Sequence, residues 1–307
     1  MENTVEVQNL TKKFSDITAV DDLSFTIQKG DIYGFLGQNG AGKSTTIRML
    51  VGLVHPTSGE ILMQGDSFSK NKKRMLSNIG AMIERPDLYG YLSAMDNLKM
   101  FAKLSKKDFP SVRLEEVLVT VGLTGREHDK VKTYSQGMKQ RLGIAIALVH
   151  DPELLILDEP TNGLDPQGIA EMRELIRNLG TQLGKTIIIS SHLLHEVEQI
   201  ANRMLVIHKG RKVSEGKVSE LLNPNETLME VRILPDDSIE EKLRAKEWGE
   251  YIVESNSSAL VFKMHPRKMP RLNKYLVDEQ VHVLEIRSKH SLEEYFLTLT
   301  NQADVEN

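Results

Sequence analysis

From about Val5 to Leu222, short apolar runs of β type alternate with stretches of helical period. That order predicts an α/β sheet protein. Strands are expected at Leu23–Ile27, Ile32–Leu36, Glu60–Met63, Ile79–Ile83, Leu154–Leu157, Thr186–Ser190 and Met204–Ile207. Helices are expected at Lys43–Val54, Met95–Leu104, Val112–Val121, Gly137–His150, Gln167–Leu179 and Leu193–Ala201. The runs Leu154-Leu-Ile-Leu and Ile187-Ile-Ile show no polar alternation, the pattern of strands covered on both faces. Ser105–Pro110 reads as a charged, proline-ended break between two helices.

The pattern changes at Asn223-Pro224-Asn225, a polar turn cluster that reads as a linker between an N-terminal domain, 1–222, and a C-terminal one, 223–307. Beyond it, strands are expected at Thr227–Leu234, Tyr251–Glu254, Ala259–Met264 and Val281–Ile286. Helices are expected at Ser238–Lys246, Pro266–Val277 and Leu292–Leu299, the last opened by a Ser291/Glu294 capping box. The order βαββαβ predicts a small α+β unit of ferredoxin-like type. Its charges read as a solvated surface and contain no ligand constellation.

Composition narrows the classes. The formal net charge is −4, without the basic excess that neutralises phosphates in nucleic-acid binding. No cysteine is present, which excludes disulfide scaffolds, Cys-ligated metals and thiol catalysis. The longest uncharged stretches, Ile32–Gly42 and Met49–Gly59, fall short of the ~20 apolar residues of a membrane span. The N-terminus lacks the basic and apolar regions of a signal peptide. A cytoplasmic chain, anchored at a membrane only through something else, is expected.

Two motifs carry chemistry. The first is Gly37-Gln-Asn39-Gly40-Ala41-Gly42-Lys43-Ser44-Thr45, set between a predicted strand and a predicted helix. Its spacing matches the P-loop, in which glycines let backbone N–H groups close on phosphate oxygens and the helix N-terminus adds its positive end. Lys43 is expected to reach the β- and γ-phosphates and Ser44 to ligate Mg²⁺. The second is Asp158-Glu159 at the carboxyl end of an apolar strand, where open α/β sheets bind ligands. Asp158 can serve Mg²⁺, and Glu159 is free to act on a water.

Between these motifs, Tyr134-Ser135-Gln136-Gly137-Met138-Lys139-Gln140-Arg141 resembles the LSGGQ signature of ABC ATPases, with Gln136 and Met138 departing from its usual Gly and Gln. Asn162-Gly163-Leu164-Asp165 resembles the family's D-loop, and His192 its switch histidine. Phe14 lies upstream of the glycines, where the family places an aromatic against adenine. The resemblance implies a P-loop NTPase of ABC type, with a mixed sheet core and a helical subdomain at about 85–150. It implies an ATP-sandwiched, head-to-tail homodimer in which Ser135 and Gly137 complete the site of the facing subunit, and Asp165 belongs to the nucleotide-contacting set. It also implies Mg²⁺-dependent ATP hydrolysis with Glu159, His192 and Lys43 as catalytic groups, coupled to an integral membrane permease that docks near Asp87–Leu104.

Glu84 stands where most transporter ATPases carry the Q-loop glutamine. It keeps an oxygen for Mg²⁺ and adds a charge that the metal and Arg85 can offset. The variant resembles the bacitracin-resistance and lantibiotic-immunity branch of bacterial exporters. Other cargoes, such as an ion or a polysaccharide, are alternatives, as is a soluble ABC ATPase acting on nucleic acid or ribosomes. The short segment between Lys43 and Ser135 leaves no room for a long coiled coil, and one P-loop marks one ATPase domain per chain. Both features favour the transporter.

Overall fold

The computed structural model describes residues 2–105, 109–221, 227–235 and 238–288. The chain divides into two units at Gly216/Lys217. The Asn223–Asn225 turn cluster and the expected helix at Leu292–Leu299 with its capping box lie outside the described residues.

In the first unit, β1 (Asn3–Phe14) and β2 (Ile17–Gln28) form a long hairpin. With β4 (Ser58–Met63) and β5 (Asp66–Ser67) they make an antiparallel sheet ordered β2-β1-β4-β5. A second sheet is ordered β10-β9-β3-β8-β7-β6, from β3 (Ile32–Leu36), β6 (Ile79–Met82), β7 (Leu154–Asp158), β8 (Thr186–Ser191), β9 (Arg203–His208) and β10 (Arg211–Lys217). The neighbours β9-β3, β3-β8, β8-β7 and β7-β6 run parallel. Among the described residues, seven α-helices accompany these sheets: α1 (Lys43–Leu50), α2 (Phe68–Leu76), α3 (Ala94–Leu104), α4 (Ser111–Thr120), α5 (Gln136–Leu148), α6 (Pro166–Thr181) and α7 (Leu194–Ile200).

The unbroken apolar runs explain the layering. Leu155 and Leu157 of β7 and Ile187 and Ile189 of β8 face one core with α3, α4, α5 and α6. Leu154, Ile156 and Ile188 face the opposite core, with the hairpin and α1. Strands wetted on neither face need no polar positions. Gly80 of β6 lies hard against α5: a Cβ there would sit 2.1 Å from the Ala147 carbonyl oxygen.

The second unit runs α8 (Val218–Leu221), β11 (Thr227–Ile233), α9 (Ile239–Arg244), β12 (Ile252–Asn256), β13 (Ala259–Met264), α10 (Met269–Asp278) and β14 (Val283–Ser288). Its antiparallel sheet is ordered β12-β13-β11-β14, so the two edge strands are β12 after α9 and β14 after α10. Met229, Val231, Leu260 and Phe262 pack on Trp248, Leu272 and Leu276.

Several elements differ from the sequence expectation. The helix expected to reach Val54 ends at Leu50, because Gly52 turns left-handed (φ 68°) and the Leu53 N–H returns to the Arg48 carbonyl at 2.8 Å. The strand expected from Val281 starts at Val283: the Val281 N–H is taken by the Leu276 carbonyl as α10 closes. The helix expected from Pro266 begins as a 3₁₀ turn over Pro266–Lys268. α2 buries only Phe68 and Met75, too sparse a stripe for a helical period, and was not expected. β10 likewise carries no apolar alternation and follows β9 through a two-residue turn at the sheet edge.

Among the described residues, no helix is long and apolar enough to cross a membrane. Gly80→Ala should lower the unfolding free energy by about 1–3 kcal/mol, since the obstructing atom is backbone and cannot rotate away. Denaturant titration checks this, and a wild-type midpoint would contradict the close approach of β6 and α5.

Candidate functional site

The parallel register sets the carboxyl ends of three strands side by side. Leu36 of β3 pairs with Ser191 of β8, and Ser190 of β8 with Asp158 of β7. The loop after β3 turns into α1 through Gly42, whose φ of 106° is left-handed. A Cβ on Gly42 would lie 2.5 Å from the Ala19 carbonyl, and one on Gly37 2.5 Å from that of Ile207. Neighbouring backbone therefore excludes any side chain at both positions.

Lys43, 5% exposed, lies inside the loop it follows. Its ammonium donates to the Gly37 carbonyl at 2.7 Å and the Gln38 carbonyl at 3.3 Å, and stands 3.5 Å from a Glu159 carboxylate oxygen. The other Glu159 oxygen meets His192 Nδ1 at 2.8 Å. Glu159 thus bridges the loop cation and the histidine beyond β8. Its own backbone is left-handed (φ 50°), a conformation costly for glutamate that recurs at functional sites.

Asp158 is buried. Its Oδ1 accepts a hydrogen bond from the Ser190 hydroxyl, while Oδ2 has no hydrogen-bond partner. A buried carboxylate oxygen left unpaired is costly unless something outside the chain satisfies it. With Ser44 lining the cleft, the two side chains offer hard oxygen donors, as Mg²⁺ requires.

The cleft has a volume of about 360 Å³. Of the expected residues, Asn39, Gly40, Gly42, Lys43, Ser44, Thr45, Glu159 and His192 line it. Gly37, Ala41 and Asp158 lie buried behind the lining. Ala19, Gln38 and Asn162 also line it and were not singled out from the sequence, although Asn162 sits within the D-loop match. Ser190 was missed as well: only the parallel register of β7 and β8 reveals that it touches both acids.

Other expected residues stand outside the cleft. Phe14, at the tip of the β1–β2 hairpin, is half exposed, with the Lys12 ammonium 4.8 Å from its ring centroid. Ser135 caps α5, its Oγ accepting from the Met138 N–H at 3.2 Å, and it is exposed, with Gly137 partly so. The preceding Tyr134 is buried with its hydroxyl on the Arg126 carbonyl, and burial pushes its phenol pKa up. Asp165 caps α6 at the Gly168 N–H. Glu84 is exposed and left-handed (φ 61°), and the cation facing it is Arg48 of α1 rather than Arg85. Tyr89 and Tyr91, exposed and edge to face, lie in the expected docking region, but Met95 there is buried.

Comparison with known proteins agrees with the motifs. A family model described as "ABC transporter" matches residues 20–162. The bacitracin transport ATP-binding protein BcrA of Bacillus licheniformis is 44% identical over 97% of this chain and 98% of its own length. The lantibiotic transport ATP-binding protein SrtF of Streptococcus pyogenes is 44% identical over 74% of this chain and 99% of its own. Among solved structures, cbiO1 of Clostridium perfringens, part of the ABC transporter complex cbiONQ, superposes with a TM-score of 0.67 at 26% identity. It covers 80% of this chain and 96% of its own.

Lys43→Ala should weaken ATP binding about 10- to 100-fold, the worth of one or two charge-assisted hydrogen bonds to phosphate. Calorimetric titration with ATP reads this out, and wild-type affinity would remove Lys43 from the binding site.

Proposed function

This chain belongs to the ABC transporter ATP-binding family, and on that premise we propose that it is the ATP-hydrolysing subunit of a bacterial exporter whose cargo is a peptide antibiotic of the bacitracin or lantibiotic class. The cargo reading rests on similarity along nearly the whole chain to a bacitracin transport protein, and over the ATPase part to a lantibiotic transport protein. Transport proteins matching end to end favour it over action on nucleic acid or ribosomes.

The observation that carries the chemistry is Glu159, held between Lys43 and His192 in the cleft. Triphosphate entering the loop replaces Glu159 as the partner of the Lys43 ammonium, which frees the carboxylate to take a proton from the attacking water. His192 orients Glu159 and contacts the γ-phosphate, and the loop N–H groups with Lys43 stabilise the developing charge. Asp158 and Ser44 would hold Mg²⁺, which neutralises charge shared between the β- and γ-phosphates when bound. Phe14 offers its exposed face to adenine.

Ser135 and Gly137 do not line the cleft. We therefore assign them, with Asp165, to a second copy's nucleotide in a head-to-tail homodimer with two composite sites. The permease is a separate integral membrane protein, reached through the surface around Tyr89 and Tyr91 and through Glu84, with this subunit peripheral to the inner face of the membrane. The second unit is proposed as an accessory domain.

Glu159→Gln should slow ATP turnover about 10²-fold or more while preserving ATP binding; unchanged turnover would reject its role as base. The same variant should dimerise at saturating ATP, and a strictly monomeric mass by light scattering would count against composite sites. Isolated from its native membrane, the chain should carry an integral membrane protein with it, whereas recovery of ribosomes or DNA instead would favour the other class.

A further inference from the structure

One buried hydroxyl touches both acids of the site. Ser190 is fully buried at the penultimate position of β8, in register with Asp158 across the parallel ladder. Its Oγ accepts the Glu159 backbone N–H at 2.9 Å and donates its own hydrogen to Asp158 Oδ1. A hydroxyl has one hydrogen to give and lone pairs to receive, so both bonds are made by a single group without conflict.

Two consequences follow from those bonds. With Oδ1 tied to Ser190, Asp158 cannot rotate freely, and the oxygen left without a partner is Oδ2. The chain bends at Glu159 into a left-handed conformation that glutamate does not favour, and the Glu159 N–H that secures the bend ends on the same hydroxyl.

We propose that Ser190 is a positioning residue for the divalent cation: it fixes which Asp158 oxygen is presented to Mg²⁺ and sets the Glu159 turn beside it. The inference rests on the Mg²⁺–ATP reading above. Outer groups that orient a ligating carboxylate typically govern metal affinity 10- to 100-fold when removed. The neighbouring Ser191 gives the internal contrast. It is also buried, but its Oγ accepts the Leu193 N–H at 2.9 Å and serves the turn after β8.

The test uses the full chain with Mn²⁺ as a paramagnetic probe and AMP-PNP as the nucleotide. Bound Mn²⁺ is read by electron paramagnetic resonance, and AMP-PNP affinity is read separately in EDTA. Ser190→Ala should raise the Mn²⁺ dissociation constant in the nucleotide complex about 10- to 100-fold. Its metal-free AMP-PNP affinity should match wild type, which also shows that the variant is folded. Ser191→Ala should keep wild-type Mn²⁺ affinity, and Asp158→Asn should lose it. Wild-type Mn²⁺ affinity in Ser190→Ala, beside loss in Asp158→Asn, would overturn the role of Ser190 alone. Equal losses in Ser190→Ala and Ser191→Ala would overturn it too, by making the effect general to the end of β8. Wild-type affinity in Asp158→Asn would instead overturn the metal assignment on which the inference stands.

Discussion

The site depends on the parallel ladder that joins β3, β8 and β7. Each of these strands is buried on both faces, so the sheet cannot slip by one residue without turning part of one core into the other. That register delivers Leu36, Ser190 and Asp158 to one edge, and the three loops leaving it carry the glycine-rich backbone, Glu159 and His192. The polar groups of the cleft then hold one another: Lys43 to Glu159, Glu159 to His192, and Ser190 to both acids. On the reading proposed here, nucleotide takes the place of Glu159 at the Lys43 ammonium.

Much of this was legible along the chain, for identifiable reasons. The two central strands announce themselves because burial on both faces demands an uninterrupted apolar run at Leu154–Leu157 and Ile187–Ile189. The phosphate loop is legible because backbone crowding at Gly37 and Gly42 admits no side chain, so the spacing is a steric requirement. What stayed hidden depends on neighbours remote in sequence. Ser190 is an unremarkable strand serine until β8 is laid beside β7. Arg48 as the partner of Glu84 follows from how α1 lies near the end of β6. α2 and β10 lack periodic apolar positions because they bury little.

On the reading proposed here, the cleft is half of a site. Its cationic and acidic side is complete within one chain, yet the capped start of α5 opens to solvent at Ser135, outside the cleft. A helix N-terminus with exposed N–H groups is suited to an anion. On the reading proposed here, that anion is the γ-phosphate held by a second copy, and hydrolysis is tied to closure of the pair. The motion available to a permease is then the approach and separation of two subunits.

Complementation between two disabled forms tests that arrangement directly. Lys43→Ala disables the cleft of its own chain, and Ser135→Arg blocks the helix end it lends to a partner; each alone should be nearly inactive. Mixed before adding ATP, they should recover roughly a quarter of wild-type turnover, because half of random pairs are mixed and each of those holds one intact composite site. A mixture as inactive as either variant alone would mean that the P-loop and Ser135 do not meet across two chains.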